Sequence, residues 1–342
     1  MSNPLCITEK LRRAPDLSPD AYLYSSARFK VRAYSMLTPD LLAAIGESGR
    51  VEDLLHRLSE RGIEIRTDSE GHLQAEEALE RYLADSFAEV EKCVPNTRWI
   101  ALLRYPYDAH NIKTILKCRI REKDPRPLLI GLGTVAPEDA EEAIRTEGYD
   151  RFAPEFAKAI PEAIDSFAQT ADPQLIDAII DSACFAAQRN LAASYPPAYF
   201  SALINGRIDM TNLLTAVRIG RMKNATAEYC TRHLIEGGKL TKAFFEAHFA
   251  EGEDALLIAA SREGYPALSK LAGAGFRLSE LEKQIEHTVS AAIREAADMP
   301  AGLQVIYGYL AEREIEVKNI RILLAAMQAG RTPAEIRALL RA

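Results

Sequence analysis

The feature that most constrains this fold is a short motif that occurs three times along the chain. Each copy has an acidic residue, an asparagine three positions later and aliphatic residues around both. The aliphatic positions recur at close to the helical period, so each copy is predicted to lie within a helix. The acid–asparagine pairs are Asp108 with Asn111, Asp209 with Asn212, and Glu316 with Asn319. Three similar motifs at long and nearly equal spacing indicate three related helical units.

The asparagines of these motifs need hydrogen-bond partners. Asparagine is a mediocre helix former because its amide competes for backbone hydrogen bonds, so its recurrence inside three helices implies a specific partner each time. The acid three residues earlier lies on the same helix face and is one candidate partner. Alternatively, Asp108 and Asp209 are N-caps of their helices, a role for which Glu316 is poorly suited. Both alternatives give the six motif residues a structural role.

Helix signals dominate the rest of the chain. Ala, Leu, Glu and Arg are abundant, and no stretch sustains the period-two alternation of a half-buried strand. Residues 63–66 could be briefly extended but are too isolated to form a sheet, and the Tyr105-Pro106 pair is expected to precede the first motif helix. Helix starts are predicted at Ser18-Pro19, Thr38-Pro39, Asp172-Pro173, a Ser279–Glu282 capping box and a Thr332–Glu335 capping box, and an amphipathic helix is predicted from His72 to Lys92. The predicted fold class is all-α.

The chain length fits three small units. With 342 residues, the chain can form three helical repeat units, which we predict at residues 1–124, 125–228 and 229–342. Each unit alone would leave apolar surface exposed. We therefore expect the three to pack around a common pseudo-threefold axis as a funnel or socket.

Charge and composition exclude several classes of protein. The net charge of −7 argues against a general nucleic-acid binder, because no dominant positive field would attract phosphates. No apolar run approaches the roughly 18 to 20 residues needed to cross a bilayer, and the first residues lack the order of a signal peptide. The five scattered cysteines fit reduced thiols. The expected location is the cytoplasm.

One stretch has an enzyme-like pattern. Residues 128–136 contain a formal GxGxx(G/A) sequence after an apolar run, with Asp150 near the distance of a ribose-binding acid. The helix predicted from Pro137 begins too late and is too acidic for a phosphate, and no βαβ unit follows. Since the chain also lacks a P-loop and any metal-binding histidine pattern, we predict no catalytic residue, cofactor or metal.

Together with its surroundings, the first motif resembles a known signature. The run Tyr107-Asp108-x-His110-Asn111-Ile112-Lys113 resembles that of the C subunit, also called the d or AC39-type subunit, of V-type and A-type rotary ATPases. Residues 24–33 are similar to the first helix of that family and residues 315–337 to its C-terminal pattern. The second motif departs most, because Thr211 stands where the first has His110.

The resemblance implies a function without catalysis. In this family, the protein is a single copy in the central stalk, where it couples the rotating shaft to the ion-carrying membrane ring during ion transport or ATP synthesis. The implied partners are the shaft subunits and the ring subunits, and the implied location is peripheral, at the cytoplasmic face of the membrane. The alternative function is an α-helical adaptor for unrelated protein partners.

Overall fold

The structure, a computed structural model, describes residues 19–67, 73–195, 198–273 and 275–341. The regular secondary structure of this part of the chain is almost entirely helical, which confirms the predicted all-α fold class. Its α-helices are Leu23–Ala33, Pro39–Glu47, Val51–Ser59, Ala75–Cys93, Ala101–Ile120, Pro137–Thr146, Pro154–Thr170, Pro173–Ala192, Tyr199–Gly220, Ala227–Arg232, Lys242–Phe249, Glu253–Arg262, Leu278–Asp298, Leu303–Gln328 and Pro333–Leu339. Short 3-10 helices are Pro19–Tyr22, Arg98–Ile100, Arg126–Leu128, Tyr149–Arg151 and Pro266–Lys270. Ser18 and His72, two predicted helix starts, lie outside the described residues.

A very small sheet accompanies the helices. Strands Arg66–Thr67 and Leu73–Gln74 pair antiparallel just before helix Ala75–Cys93. The prediction that this segment is too isolated to form a sheet is therefore wrong, although each strand has only two residues. Ile65 and Leu73 pack against the helical core, and this burial supports a two-stranded pairing that would be marginal in water.

Most of the predicted helix starts are confirmed. The side chains of Thr38 and Asp172 cap helices Pro39–Glu47 and Pro173–Ala192, and Thr332 and Glu335 form the expected capping box. The box predicted at Ser279 is wrong. That helix begins at Leu278, where the backbone N–H of Arg277 donates to Glu280 at 2.8 Å.

The three motifs lie in helices Ala101–Ile120, Tyr199–Gly220 and Leu303–Gln328, which we call the first, second and third signature helices. The expectation that Pro106 precedes the first of them is wrong, because Pro106 lies inside that helix. Proline has no N–H to donate to the carbonyl of Leu102. The fully buried Gln188 compensates, since its Nε2 donates to that carbonyl at 2.6 Å.

The signature helices start close together. Phe200 near the start of the second and Tyr307 near the start of the third have ring centroids 5.2 Å apart. Trp99, just before the first, lies 6.4 Å from the same Tyr307 ring. This aromatic junction belongs to the largest apolar core, and smaller cores surround the later parts of the first and second signature helices. A common threefold axis stays a prediction.

The third signature helix packs against helices from the other end of the chain. Helices Leu23–Ala33, Pro39–Glu47, Val51–Ser59 and Ala75–Cys93 all contact it. In contrast, the apolar cores around the first and second signature helices draw on the residues that follow each of them. The predicted boundaries at residues 124 and 228 remain a prediction.

Candidate functional site

Each signature asparagine holds a distant stretch of backbone with two hydrogen bonds. Its Nδ2 donates to a backbone carbonyl and its Oδ1 accepts from the N–H of the same residue. The pairs, with these two distances in order, are Asn111 with Ile130 (2.8 and 2.9 Å), Asn212 with Ile235 (2.8 and 2.8 Å) and Asn319 with Arg341 (3.0 and 2.7 Å). All three asparagines are buried, so each pairing satisfies two backbone groups that water does not reach.

In the first two motifs, the acid binds the backbone a few residues beyond this pairing. Asp108 accepts hydrogen bonds from the N–H groups of Thr134, at 2.8 Å, and Val135, at 3.2 Å. Asp209 accepts from those of Lys239, at 3.1 Å, and Leu240, at 2.8 Å. Both acids lie inside their helices. The hypotheses that they bind the asparagine or cap their own helix are therefore wrong.

Neutral hydroxyl groups complete both sites. The Thr134 hydroxyl donates to Asp108 at 2.5 Å, and the Tyr265 hydroxyl donates to Asp209. We use the word clasp for one acid, its asparagine and the backbone that they hold. In each of these clasps the acid binds the residue just before the N-cap of a later helix, which is Pro137–Thr146 for Asp108 and Lys242–Phe249 for Asp209.

The third clasp is completed by a segment from the other end of the chain. Glu316 accepts a hydrogen bond from the N–H of Leu37 at 2.6 Å. Leu37 directly precedes Thr38, the N-cap of helix Pro39–Glu47, so it occupies the position that Val135 and Leu240 hold in the other clasps. Arg313 also donates to Glu316 at 2.6 Å, and both side chains are buried. Only this clasp therefore contains a buried ion pair.

Two glycines allow the backbone to approach the aspartates. A Cβ placed on Gly133 would lie 2.3 Å from Oδ1 of Asp108, and one on Gly238 would lie 2.0 Å from Oδ1 of Asp209. Any larger residue would displace the carboxylate. The glycine pattern at residues 131–133 thus serves an acid of the same chain, which accounts for it without a dinucleotide.

Burial also alters the titration of the two aspartates. It raises the pKa of Asp108 to about 6, although hydrogen bonds from Thr134 and Val135 oppose this effect. Burial likewise raises the pKa of Asp209 against the hydrogen bonds from Tyr265, Leu240 and Lys239. These carboxylates are held by dipoles rather than by an ion pair.

A cavity of about 520 Å³ lies between the signature helices and helix Leu278–Asp298. Its deep wall includes Leu102 and Leu103 of the first signature helix and Tyr307 of the aromatic junction, all of which are buried. Charged side chains lie at its outer part, where Lys318 pairs with Glu286 at 2.7 Å. The inner wall is thus mostly apolar, with Glu314 and Arg207 as its charged members, and further charged residues lie towards the exposed end.

Glu314 and Tyr107 both line this cavity and contact each other. The Tyr107 hydroxyl donates to Oε1 of Glu314 at 2.7 Å, which connects the first and third signature helices. Burial raises the pKa of Glu314 to about 7, while the Tyr107 hydrogen bond and the charge of Arg207 oppose this effect. This carboxyl group therefore holds a proton more readily than an exposed glutamate does.

Comparison with known proteins shows what kind of protein contains these clasps. The model of one family, described as the ATP synthase (C/AC39) subunit, matches residues 25–339. The chain belongs to this family.

Several similar proteins are named as the C subunit of an A-type ATP synthase. The C subunit of the A-type ATP synthase of Methanocaldococcus jannaschii is 24% identical, and the match covers 95% of this chain and 87% of that protein. The proteins of the same name from Methanosphaera stadtmanae and Pyrococcus horikoshii are each 22% identical, and the matches cover 92% and 93% of this chain and 86% and 90% of those proteins.

Several important residues of this C/AC39 protein were missed by sequence reasoning. Glu314 and Arg207 gave no sequence signal, because their partners are distant along the chain. Arg313 gave none either, although its partner Glu316 is only three residues away. The glycines did give one: Ile130 and Ile235, which the asparagines hold, are each followed three residues later by Gly133 or Gly238. This pattern of an isoleucine followed three residues later by a glycine identifies the backbone segment that each aspartate clasp holds. That the six motif residues form a structural repeat signature stays a prediction.

Two structural features are absent from the described part of this C/AC39 protein. Within residues 19–67, 73–195, 198–273 and 275–341, no helix combines the length and the apolar character needed to cross a membrane. Across the same ranges, no three His, Cys, Asp or Glu side chains gather where they could hold a metal ion.

Proposed function

We propose that this protein is a non-catalytic central-stalk component that couples the rotating shaft to the membrane ring of an A-type rotary ATP synthase. Membership of the C/AC39 family supports the complex, and the central cavity supports the coupling role. In this proposal, the shaft ends in the cavity and the ring is bound elsewhere on the protein. The protein itself lies at the cytoplasmic face and reaches the membrane through its partners.

The cavity suits the end of a protein shaft better than a small substrate. A volume of about 520 Å³ accepts several side chains but not a whole helix. Its apolar inner wall would bury the tip of the shaft, and the charged outer residues Lys318, Arg321 and Glu286 would fix its orientation. Because the wall comes from all three signature helices, a load on an inserted tip would reach all three.

The clasps would give the socket the stiffness that coupling requires. Each clasp ties a signature helix to the start of another helix through buried hydrogen bonds, and the Tyr107–Glu314 bond ties two signature helices together. Close-packed interiors transmit strain because they have few voids into which they can relax. A rotating protein of this kind can pass on torque without a chemical step.

The contacts also support a division of the chain that differs from simple thirds. In this proposal, residues 101–192 and 199–298 each form one unit of the socket. Residues 303–341 form the third together with residues 19–93, which complete its clasp and its core. The socket is then closed by contact between the two ends of the described chain.

Binding measurements with purified shaft subunits and purified membrane ring would test the proposal. Wild-type protein should bind both. The variant Val289→Trp fills the cavity from helix Leu278–Asp298 and should weaken shaft binding at least about tenfold, with ring binding unchanged. Ile258→Trp, at an exposed site away from the cavity, is the matched control and should bind like wild type.

Two outcomes would count against the proposal. If the folded wild-type protein binds neither the shaft nor the ring, the coupling function is refuted. If Val289→Trp is folded and binds the shaft as tightly as wild type, the cavity is not the socket.

A further inference from the structure

Helix Leu23–Ala33 carries an apolar face that nothing in the described chain covers. Leu23, Tyr24, Val31 and the following Tyr34 are exposed by 59%, 71%, 69% and 92%. At about 100° of rotation per residue, these side chains and that of Ala27 lie within a single arc of about 100°. Isolated exposed apolar residues are ordinary, but a continuous face of this kind marks an interaction surface.

The opposite face of the same helix is already fixed in the core. Phe29 is fully buried and its ring lies 4.9 Å from that of Tyr309 in the third signature helix. Ser26 accepts a hydrogen bond from the N–H of Gly302 at 3.0 Å. The helix therefore cannot turn its outer face inwards without losing these contacts.

Basic residues flank the outer face on both sides. Lys30 lies along one edge, and Arg28 and Arg32 lie along the other. The two arginines share one carboxylate, that of Glu89, and residues 21–37 contain no acidic residue. On a chain with a net charge of −7, this positive surface favours a partner that combines apolar and acidic groups.

The face lies far from the outer end of the cavity. Its helix packs near Gly302 and Tyr309, at the start of the third signature helix, whereas the charged residues of the cavity include Arg321 near the other end. At 1.5 Å per residue, residues 302 and 321 are about 28 Å apart along the helix. A shaft that enters from the charged end leaves this face free for another partner.

We propose that the outer face of helix Leu23–Ala33, with Tyr34, is the surface that meets the membrane ring. The ring should present apolar side chains accompanied by carboxylates at this contact. This inference rests on the proposed function, because the ring is a partner only if that function holds. It adds the binding surface and the chemistry that the partner must offer.

The test compares substitutions that leave the core intact. Tyr24→Ser combined with Val31→Ser removes two of the most exposed apolar groups and should weaken binding to the purified ring about tenfold or more. The matched control combines Leu128→Ser with Met222→Ser, which are exposed by 59% and 54% on other surfaces and should have no effect. Binding of the shaft subunits should remain unchanged in both double variants.

A charge reversal tests the chemistry of the partner. Lys30→Glu should weaken ring binding several-fold, mostly at low salt, whereas Lys223→Glu, at an exposed site elsewhere, should not. Protein-free vesicles of phosphatidylcholine and phosphatidylglycerol serve as the lipid probe. Wild-type protein should bind them much more weakly than the ring.

The outcomes separate this inference from the proposed function. If the wild type binds the ring and the double variant on this face binds it equally well, the surface assignment is overturned while the function stands. If the vesicles bind as tightly as the ring, the face recognises anionic lipid and the assignment to the ring is overturned. If the wild type binds the shaft and the ring is not bound at all, the ring-coupling function itself fails.

Discussion

In all three clasps an acid holds the backbone just before a helix, but the first two use different chemical groups from the third. Asp108 and Asp209 bind backbone that lies 26 to 31 residues further along the chain, and they use neutral donors only. Glu316 binds Leu37, which lies 279 residues away along the sequence, and it has a buried arginine beside it. The two clasps between segments that are close along the chain rely on dipoles, whereas the one that joins two ends of the described chain adds an ion pair. Four experiments test this difference.

The largest effect is expected in the third clasp. Glu316→Ala leaves Arg313 buried without a countercharge and should lower the free energy of unfolding by about 3 to 5 kcal/mol, measured by urea denaturation. The double variant Arg313→Met with Glu316→Met should recover most of this loss, because no charge remains buried. Asp108→Ala leaves no buried cation behind and should cost less. An equal or greater loss there would remove the distinction between the clasps.

Loss of an asparagine should affect all three clasps similarly. Asn111→Leu, Asn212→Leu and Asn319→Leu each leave a buried N–H and a carbonyl unpaired, at a cost of about 1 to 3 kcal/mol in unfolding free energy. Asn190→Leu, at an exposed position, is the control. Unchanged melting temperatures in the three variants would contradict a structural role for the asparagines.

A smaller effect should distinguish the clasps through their glycines. Gly133→Ala and Gly238→Ala place a Cβ against the aspartate and should each cost about 1 to 2 kcal/mol in denaturant unfolding. The third clasp has Ser35 at the matching position, two residues before Leu37. Ser35→Ala should therefore change stability by less than about 0.5 kcal/mol. Equal losses at all three positions would show that the aspartate clasps are no tighter than the third.

The last prediction concerns pH. The folded pKa of Asp108, about 6, lies above the ordinary value of 3.8, so the folded protein holds this proton more strongly than the unfolded chain. Its stabilising effect is complete below pH 4 and is lost as the pH rises to about 6, by at most about 1.4 kcal/mol per pH unit. Unfolding measured from pH 4 to 7 should show a shallower fall in Asp108→Asn. The same slope in the variant would mean that other groups are responsible.

Much of this fold was accessible from sequence because its signals are local. The helical period around Asn111, Asn212 and Asn319 depends only on residues a few positions away, and so do the caps at Thr38 and Asp172. Pro106 led to a wrong prediction because the carbonyl of Leu102, which a proline cannot pair, is satisfied by Gln188, 86 residues further along the sequence. The sequence gives no sign of that compensation.

The partners in the clasps were harder to predict for a related reason. The asparagines bind backbone, which has the same chemistry at every residue, so composition does not reveal which residue is held. The site of Glu316 required knowing that residues 19–93 fold against residues 303–341. The resemblance of the signature identified the family without either fact.

The position of Leu37 also affects how the three units of this protein should be aligned with one another. If each unit begins with a signature helix, the repeat is out of phase with the chain, and the last copy of the pattern continues at the other end of the described sequence. Aligning successive thirds of the sequence would therefore set unlike helices against each other. Alignment from one signature helix to the next, with the sequence treated as a circle, places Val135, Leu240 and Leu37 at equivalent positions, with an additional segment that includes helix Leu23–Ala33 before Leu37.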